Sequence, residues 1–404
     1  MKYINKRLTI EKVDLQKIAN KFKTPLYCYS YSRLKENINN FKKSFKSFSP
    51  LICFAIKSNT NSNLIREIKK FGLGADVVSI GELMMALKTG INPNKIVFSG
   101  VGKTSAEISF AIEKKILLIN AESLSEIKEI NRIAKLKNKK VRVGIRLNPN
   151  TDAKTLSQIS TGKKENKFGV NKKTFYKVIN FSKNSNNIDL KCLSVHIGSQ
   201  ILDHRPYEKM LKAISSILNK TNHRFEFIDL GGGMGITYSD KNKKLNYKIY
   251  NNAILKFLKK HSVKIIFEPG RSIIGDTGTL ISKVIYIKDS ERKKFIILDA
   301  AMNDLMRPAL YDAIHKTLPV IKSNKISMKT YEFVGPICES TDKFTTLKKF
   351  QELKEKDLIA ICDVGAYGMS LSSNYNLRLK PPELLIKGSK IKVIKKRQKY
   401  KDLI

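Results

Sequence analysis

Apolar runs alternate with amphipathic stretches along the chain from about residue 51. Each run has the length of a buried strand, and the stretch after it carries apolar positions at helical spacing. The pattern predicts eight strand-then-helix units. Their strands are Leu51–Ile56, Ala75–Val78, Lys95–Phe98, Ile116–Ile119, Val141–Leu147, Leu190–Val195, Phe225–Leu230 and Val263–Phe267.

Eight such units over roughly 220 residues match the size of a (β/α)8 barrel, whose chemistry lies at the C-terminal strand ends. Residues that are suited to catalysis or to ligand binding cluster at those predicted ends. They are Lys57, Asp76, Ser99, Asn120, Arg146, His196, Gly231 to Gly233, and Glu268.

The pattern changes after Arg271 to short β-like runs separated by turn-rich stretches, which predicts a second, mostly antiparallel β domain. A strand-like piece, Arg7–Ile10, precedes the barrel and is expected to join that domain. We therefore predict a barrel over residues 28–275 and a β domain from residues 1–27 and 276–404. The C-terminal runs are Leu280–Ile287, Phe295–Leu298, Tyr331–Val334, Leu358–Cys362 and Ile391–Ile394.

Composition narrows the class of protein. The chain has 404 residues, 42% of them hydrophobic, and no run approaches the roughly 20 apolar residues of a membrane span. The first residues lack the pattern of a secretory signal, so we expect a cytoplasmic protein. The five cysteines are widely separated without a Cys-x-x-Cys pair, which predicts reduced thiols and no structural metal.

The net charge of +42 raises the alternative of nucleic-acid binding. The basic residues are mostly lysine and are spread over the whole chain, whereas a phosphate-reading surface favours clustered arginine. We therefore expect a solvated basic surface, without specific binding of nucleic acid or membrane.

Lys57 ends an apolar strand in the motif Phe54-Ala55-Ile56-Lys57-Ser58-Asn59. A lysine desolvated at a barrel mouth loses proton affinity and becomes a nucleophile toward aldehydes. A structural or solvated lysine is the alternative in so lysine-rich a chain.

Three further motifs follow predicted strands. The glycines of Asp229-Leu230-Gly231-Gly232-Gly233-Met234-Gly235-Ile236 allow backbone N–H groups to approach a phosphate, although a tight turn would read the same. In Glu268-Pro269-Gly270-Arg271 the carboxylate could hold a pyridine nitrogen protonated, and the guanidinium could bind an anionic group of the substrate. The alternative is that the Glu268 carboxylate and the Arg271 guanidinium form a local ion pair. His196-Ile197-Gly198-Ser199-Gln200 offers a ring for stacking and a hydroxyl for phosphate, or a core histidine.

Together these motifs resemble the fold-type III pyridoxal-phosphate enzymes, with an alanine-racemase-like barrel and a β-barrel domain, and among them the diaminopimelate decarboxylase family. The resemblance runs from about Thr24 to Lys387. Phe54 and Ser58 depart from the usual Tyr-Ala-x-Lys-Ala-Asn, and neither carries the reacting amine. The other motifs are Gly74 to Leu83, Ser160-Thr161-Gly162, Lys167-Phe168-Gly169, Met302 to Tyr311, Cys338-Glu339-Ser340 and Gly365-Ala366-Tyr367-Gly368.

The resemblance implies a role for each matching residue. Lys57 would form the internal aldimine with pyridoxal 5'-phosphate, Glu268 would contact the pyridine nitrogen and His196 would stack on the ring. Cys338 would return the proton to the α carbon. The phosphate would be held by Ser199, Gly233, the backbone of Glu268, Pro269, Gly270 and Arg271, and Tyr367; the substrate would be held by Arg271, Arg307, Tyr311, Glu339 and Tyr367.

The implied reaction is decarboxylation of meso-2,6-diaminopimelate to L-lysine and carbon dioxide, the last step of lysine biosynthesis by that route. The family also implies a homodimer in which Cys338 and Glu339 serve the partner's active site. Ornithine and arginine decarboxylases carry aspartate after the cysteine, where this chain has Glu339. A racemase or polyamine-type decarboxylase of the same fold, and a cofactor-free or nucleic-acid-binding barrel, are the alternatives.

Overall fold

The computed structural model describes residues 1–153, 161–163, 165–238 and 244–404, so Ser160 of the motif above lies outside the described residues. The described strands, in chain order, are β1 (Lys2–Ile4), β2 (Arg7–Ile10), β3 (Val13–Asp14), β4 (Leu26–Ser30), β5 (Leu51–Ala55), β6 (Gly74–Val77), β7 (Ile96–Phe98), β8 (Leu118–Ala121), β9 (Val141–Arg146), β10 (Ile188–Ser194), β11 (Phe227–Asp229), β12 (Lys264–Phe267), β13 (Gly278–Asp289), β14 (Lys293–Leu298), β15 (Thr317–Pro319), β16 (Thr330–Val334), β17 (Lys343–Leu347), β18 (Leu358–Cys362), β19 (Glu383–Lys387) and β20 (Lys390–Lys395).

The described α-helices are α1 (Leu15–Phe22), α2 (Tyr31–Ser44), α3 (Ser62–Lys69), α4 (Ile80–Lys88), α5 (Ser105–Glu113), α6 (Leu124–Leu136), α7 (Lys172–Lys183), α8 (Arg205–Leu218), α9 (Tyr247–Leu258), α10 (Arg271–Ile274) and α11 (Arg307–Tyr311). Polar residues at the helix starts fix where several of them begin. Thr104, for example, accepts from the Glu107 N–H, and the Glu107 carboxylate accepts from the Thr104 N–H, so α5 begins in a capping box.

Strands β5 to β12 are parallel and close into a barrel in sequence order, with β12 paired to β5. Every residue of β6, β7 and β8 is buried, because helices cover the outside of a parallel barrel and side chains fill its inside. The predicted (β/α)8 barrel is confirmed, and each predicted strand overlaps an observed one.

The remaining large sheet has nine strands, most of them antiparallel. Its long strand β13 pairs with β4, β14 and β18. Two pairs are parallel, β4 with β19 and β14 with β16, so the sheet is mixed. The predicted second β domain is thus confirmed. The prediction did not include β4, β15, β17 and β19.

Strand β2 coincides with the predicted piece Arg7–Ile10 and lies in a small antiparallel sheet with β1 and β3. The Leu8 N–H donates to the Val320 carbonyl at 2.8 Å, and Leu8 packs in one apolar cluster with Val320 and Leu358. The N-terminal residues therefore pack with the C-terminal strands.

The chain divides into two compact units. The barrel unit comprises Ile38–Ile236 and Lys243–Ile273, and the β unit comprises Met1–Asn37, Thr237–Asn242 and Ile274–Ile404. Among the described residues no helix is both long and apolar enough to cross a membrane.

Candidate active site

Lys57 lies at the mouth of the barrel, in the tight turn Ile56–Ser58 that follows β5. Its Nζ lies 2.6 Å from Oδ2 of Asp76, a residue of β6 that has no exposed surface. The two residues come close because Ala55, at the end of β5, pairs with Asp76 on the neighbouring parallel strand β6, and Lys57 follows two residues after Ala55. A buried carboxylate thus holds the amine that the sequence singled out.

Two further carboxyls, Glu268 and Asp229, are buried beside each other at the same edge of the barrel. Their side chains are hydrogen-bonded to each other, which requires one proton between them. Loss of hydration, and then repulsion from Asp229 and Asp76, raise the pKa of Glu268 well above its ordinary value. The pKa of Asp229 is also raised by burial. The pair therefore favours a shared proton or a cation next to it.

Neutral donors at the ends of three other barrel strands, β7, β8 and β10, hold this carboxyl pair in place. Ser99 donates to Oε1 of Glu268 at 3.2 Å, and Asn120 donates to Oδ2 of Asp229 at 2.9 Å. Ser194 donates to the same Oδ2 at 3.2 Å. Ser99 and Asn120 are strand-end residues that the sequence had flagged, and this network is their role in the structure.

The three consecutive glycines Gly231 to Gly233 follow β11. Their backbone packs against the His196 motif, which follows β10. Gly231 has a φ of +64°, and a Cβ on it would lie 2.5 Å from Nδ1 of His196. Gly233 has a φ of +88°, and its Cβ would meet the Gly198 carbonyl oxygen at 2.3 Å. Only glycine fits both positions without strain. The predicted glycine loop therefore passes directly over the His196 motif.

His196 is neutral and oriented. The Gly232 N–H donates to its Nδ1 at 3.1 Å, so Nε2 carries the proton. Burial of the ring, followed by the positive charges of Arg146 and Lys57, lowers the pKa of His196 well below its ordinary value. An uncharged, fixed imidazole suits stacking on a flat ring.

Arg271 and Ser199 come together at this edge. Arg271 begins α10 and is buried, and its Nη2 donates to Oγ of Ser199 at 3.1 Å. The Pro269 carbonyl accepts from the Ala55 N–H at 3.2 Å, and Gly270 approaches the Ser58 side chain. A guanidinium, a hydroxyl and glycine-lined backbone form the donor set that phosphate requires.

These residues fit pyridoxal phosphate as a set. The lysine amine suits its aldehyde, the Ser199–Arg271 pair and the glycine loop suit its phosphate, and the Glu268–Asp229 pair suits a protonated pyridine nitrogen. The charges agree with this fit, because three carboxyls, Asp76, Asp229 and Glu268, are buried at this site and Lys57 pairs with the first of them. Oδ1 of Asp76 accepts no hydrogen bond from any residue that the structure describes.

The other predicted residues belong to the β unit. Arg307 is buried at the start of α11, and Tyr311, at its end, is partly exposed. Tyr367 has a φ of +58°, a left-handed conformation that a bulky residue rarely adopts without a functional or packing constraint.

Cys338 and Glu339 are exposed on a loop that Asp342 organises. The Asp342 carboxylate accepts from the N–H groups of Ile337 and Met302, each at 2.7 Å. The Tyr375 hydroxyl donates to Oε1 of Glu339 at 2.5 Å. Burial raises the pKa of Asp342, while its two backbone hydrogen bonds act in the opposite direction. The loop is thus held by hydrogen bonds to Asp342, and it exposes the Cys338 thiol and the Glu339 carboxylate at the surface.

The structure thus gathers eight of the predicted residues at one edge of the barrel: Lys57, His196, Ser199, Gly233, Glu268, Pro269, Gly270 and Arg271. The β unit holds Arg307, Tyr311, Cys338, Glu339 and Tyr367. The sequence-based prediction did not assign a site role to Asp229, Asp342, Tyr375 or His315, which contacts Arg307. A signal existed for Asp229, since it directly precedes the glycine run.

Comparison with known proteins gives a consistent set of relatives. Residues 31–275 match the family model described as "Pyridoxal-dependent decarboxylase, pyridoxal binding domain". The diaminopimelate decarboxylase of Aquifex aeolicus is 39% identical over 403 residues, covering 99% of this chain and 95% of that protein. That of Helicobacter pylori strain J99 is 42% identical over 393 residues, covering 96% and 97%.

A solved structure agrees with these relatives. The crystal structure of the Helicobacter pylori diaminopimelate decarboxylase complexed with L-lysine superimposes with a TM-score of 0.93 at 41% identity. The match covers 96% of this chain and 98% of that one. The two proteins share the fold over nearly their whole lengths.

Proposed function

The chain belongs to the diaminopimelate decarboxylase family of pyridoxal-dependent decarboxylases, and from this membership we propose how its own residues carry out the reaction. It is a carboxy-lyase that uses pyridoxal 5'-phosphate to convert meso-2,6-diaminopimelate into L-lysine and carbon dioxide. The observation that carries the site assignment is the meeting of Lys57, the Glu268–Asp229 pair and the Ser199–Arg271 pair at one barrel edge.

Lys57 would bind the cofactor covalently, and its contact with Asp76 supports this because the carboxylate fixes the amine at the barrel mouth. Ser199, Gly233, Arg271 and the backbone from Glu268 would hold the phosphate, with Tyr367 assisting. When bound, pyridoxal phosphate supplies an aldehyde for the substrate amine and a ring that accepts the electrons left by carbon dioxide.

Glu268 would keep a proton at the ring nitrogen. Its buried position beside Asp229 makes it favour a positively charged neighbour, and Ser99 holds it in place. His196 would lie against the ring as a neutral imidazole, since its Nδ1 accepts from Gly232. These residues orient the reacting group and do not themselves change covalently.

Arg307 and Glu339 would bind the end of the substrate that does not react, which carries one carboxylate and one amine. Charge-assisted contacts of this kind are strong in a desolvated site, and Arg307 is buried. Tyr311 and Arg271 would assist. Cys338 would donate the proton that replaces the departed carboxylate, and its exposure leaves the thiol accessible.

We also propose a homodimer in which Cys338 and Glu339 act in the active site of the partner subunit. Their exposure on the organised loop supports this, because a catalytic thiol facing solvent in one chain needs a second surface to exclude water. Mixing inactive Lys57→Ala and Cys338→Ala proteins should restore about a quarter of wild-type activity, since half the random dimers have one intact site. No recovery on subunit exchange would contradict shared sites.

Residues 28–275 would form the cofactor-binding domain, and residues 1–27 with 276–404 the β domain. We place the protein in the cytoplasm, which its five unpaired cysteines support. Cell fractionation tests the location.

The reaction itself is tested by product analysis with meso-diaminopimelate and the cofactor. Equimolar L-lysine and carbon dioxide are expected, with no amine product from L-ornithine or L-lysine. Release of a diamine from either amino acid would instead indicate a polyamine-type decarboxylase.

A further inference from the structure

Two side chains that carry no charge contact the guanidinium of Arg307. Its Nη1 lies 2.9 Å from Nε2 of His315, and its carbon Cζ lies 4.7 Å from the centre of the Tyr238 ring. The Tyr238 and His315 rings meet edge to face, 5.2 Å apart at 79°. Arg307 and His315 are 6% and 3% exposed, so this arrangement is almost dry.

The protonation state of His315 follows from its two neighbours. Nδ1 lies 2.9 Å from the Cys362 carbonyl oxygen, which can only accept, so Nδ1 carries a proton. Nε2 faces Arg307, which can only donate, so Nε2 must offer a lone pair. Both bonds form together only when the imidazole is neutral.

A neutral acceptor fixes the direction of a guanidinium without neutralising it. A carboxylate in the same place would also orient Arg307, but it would pair with the positive charge and weaken the attraction for an incoming carboxylate. The Tyr238 ring covers one face of the guanidinium and likewise adds no negative charge to its surroundings.

We propose that His315 is a positioning residue for substrate selection, which aims Arg307 at the carboxylate of the non-reacting end without itself placing a negative charge beside the guanidinium. The proposal rests on the role given to Arg307 above. It assigns to the His315–Tyr238 pair the discrimination between molecules that carry this carboxylate and those that lack it. L-lysine retains that carboxylate, and 1,5-diaminopentane has the same carbon chain and amines without it.

The test compares two substitutions of nearly equal shape, His315→Gln and His315→Glu, in the cofactor-loaded enzyme. The glutamine oxygen can accept from Arg307 without charge, so KM for diaminopimelate should stay within about 3-fold of wild type. Glutamate should raise KM at least about 10-fold through its charge, with kcat within about 3-fold. In competition assays the Glu variant should bind L-lysine at least about 10-fold more weakly, with 1,5-diaminopentane binding unchanged.

Equal KM values and equal L-lysine binding in the Gln and Glu variants would overturn the proposal. Equal losses for L-lysine and 1,5-diaminopentane would do so as well, because they indicate general damage. If the Glu variant fails to fold or to load cofactor, His315→Leu takes its place. Leu must then raise KM relative to Gln, and equality of the two refutes the proposal.

Arg307→Ala separates this inference from the function on which it depends. It should lower kcat/KM for diaminopimelate by roughly 30-fold or more, because a buried charge-assisted contact is lost, with cofactor absorbance unchanged. If Arg307→Ala leaves kcat/KM unchanged, the role of Arg307 itself is wrong. If Arg307→Ala has its expected effect and the His315 variants do not, only the positioning role is wrong.

Discussion

Replacing Glu268 by glutamine should stabilise the cofactor-free protein while it abolishes function. Glu268 shares a proton with Asp229 inside the barrel, and burial with neighbouring carboxylates raises its pKa. A glutamine amide can donate permanently to Asp229, and it carries no charge at any pH. The variant therefore removes a titration that opposes folding at neutral pH.

The sign and size of the effect follow from proton linkage. With a raised pKa in the folded state, the contribution of Glu268 is fully present below its unfolded pKa of about 4.3 and is lost as pH rises toward the folded pKa. Between these two values the wild type loses about 1.4 kcal/mol per pH unit relative to the variant. Over two pH units this corresponds to a melting difference of roughly 5–10 °C in a barrel of this size.

The measurement is thermal unfolding of wild type and Glu268→Gln, both freed of cofactor, from pH 5 to pH 8. Glu208→Gln is the matched control, because Glu208 lies on α8 with 39% of its side chain exposed and should follow the wild type. Loading with cofactor should shrink the pH-dependent difference, since a positive ring nitrogen would then face the carboxylate. A wild-type-to-variant difference that is constant with pH would refute this reasoning.

Further predictions concern the other functional residues and the surface. Lys57→Ala should abolish turnover and the absorbance of lysine-bound cofactor, and a borohydride-reducible adduct in that variant would rule out Lys57. Cys338→Ala should lower kcat by about 100-fold or more with the melting temperature unchanged, because the thiol is exposed; near-normal kcat would assign the proton to another donor. Asp342→Ala should cost about 1–3 kcal/mol of unfolding free energy for each backbone N–H it strands, as measured by denaturant titration, whereas no loss would mean that the loop does not depend on it. DNA binding, measured by anisotropy, should be weak and fall steeply with salt, and sequence-specific binding at physiological salt would contradict an incidental basic surface.

The barrel could be predicted from sequence because its strands are short apolar runs separated by amphipathic helices, a signal that local pattern carries directly. The residues at the mouth of the barrel could also be predicted, since the C-terminal ends of parallel strands meet at one edge. Strand β4 was not predicted, because Leu26–Ser30 contains tyrosines and a serine and is buried only through partners far along the chain.

His315 shows why part of the site was beyond prediction. Nothing in the local sequence distinguishes it from a core histidine, and its two partners are Arg307, eight positions away, and Cys362, 47 positions away. Asp342 was missed for a similar reason. Its role is to accept hydrogen bonds from two backbone N–H groups, and only the folded loop brings these groups to its carboxylate. Contacts set by tertiary structure leave no periodic trace.

The position of β4 also has a consequence for how the protein is made. Residues Leu26–Ser30 lie between β13 and β19 in the sheet, yet they leave the ribosome roughly 350 residues before β19, or some 20–70 s earlier at usual synthesis rates. All eight barrel strands emerge in that interval. Until β13 emerges, the nascent chain must therefore carry this strand with both edges open, and one edge stays open until β19 follows. An open strand edge is a site for chaperone binding or for misassociation between neighbouring nascent chains.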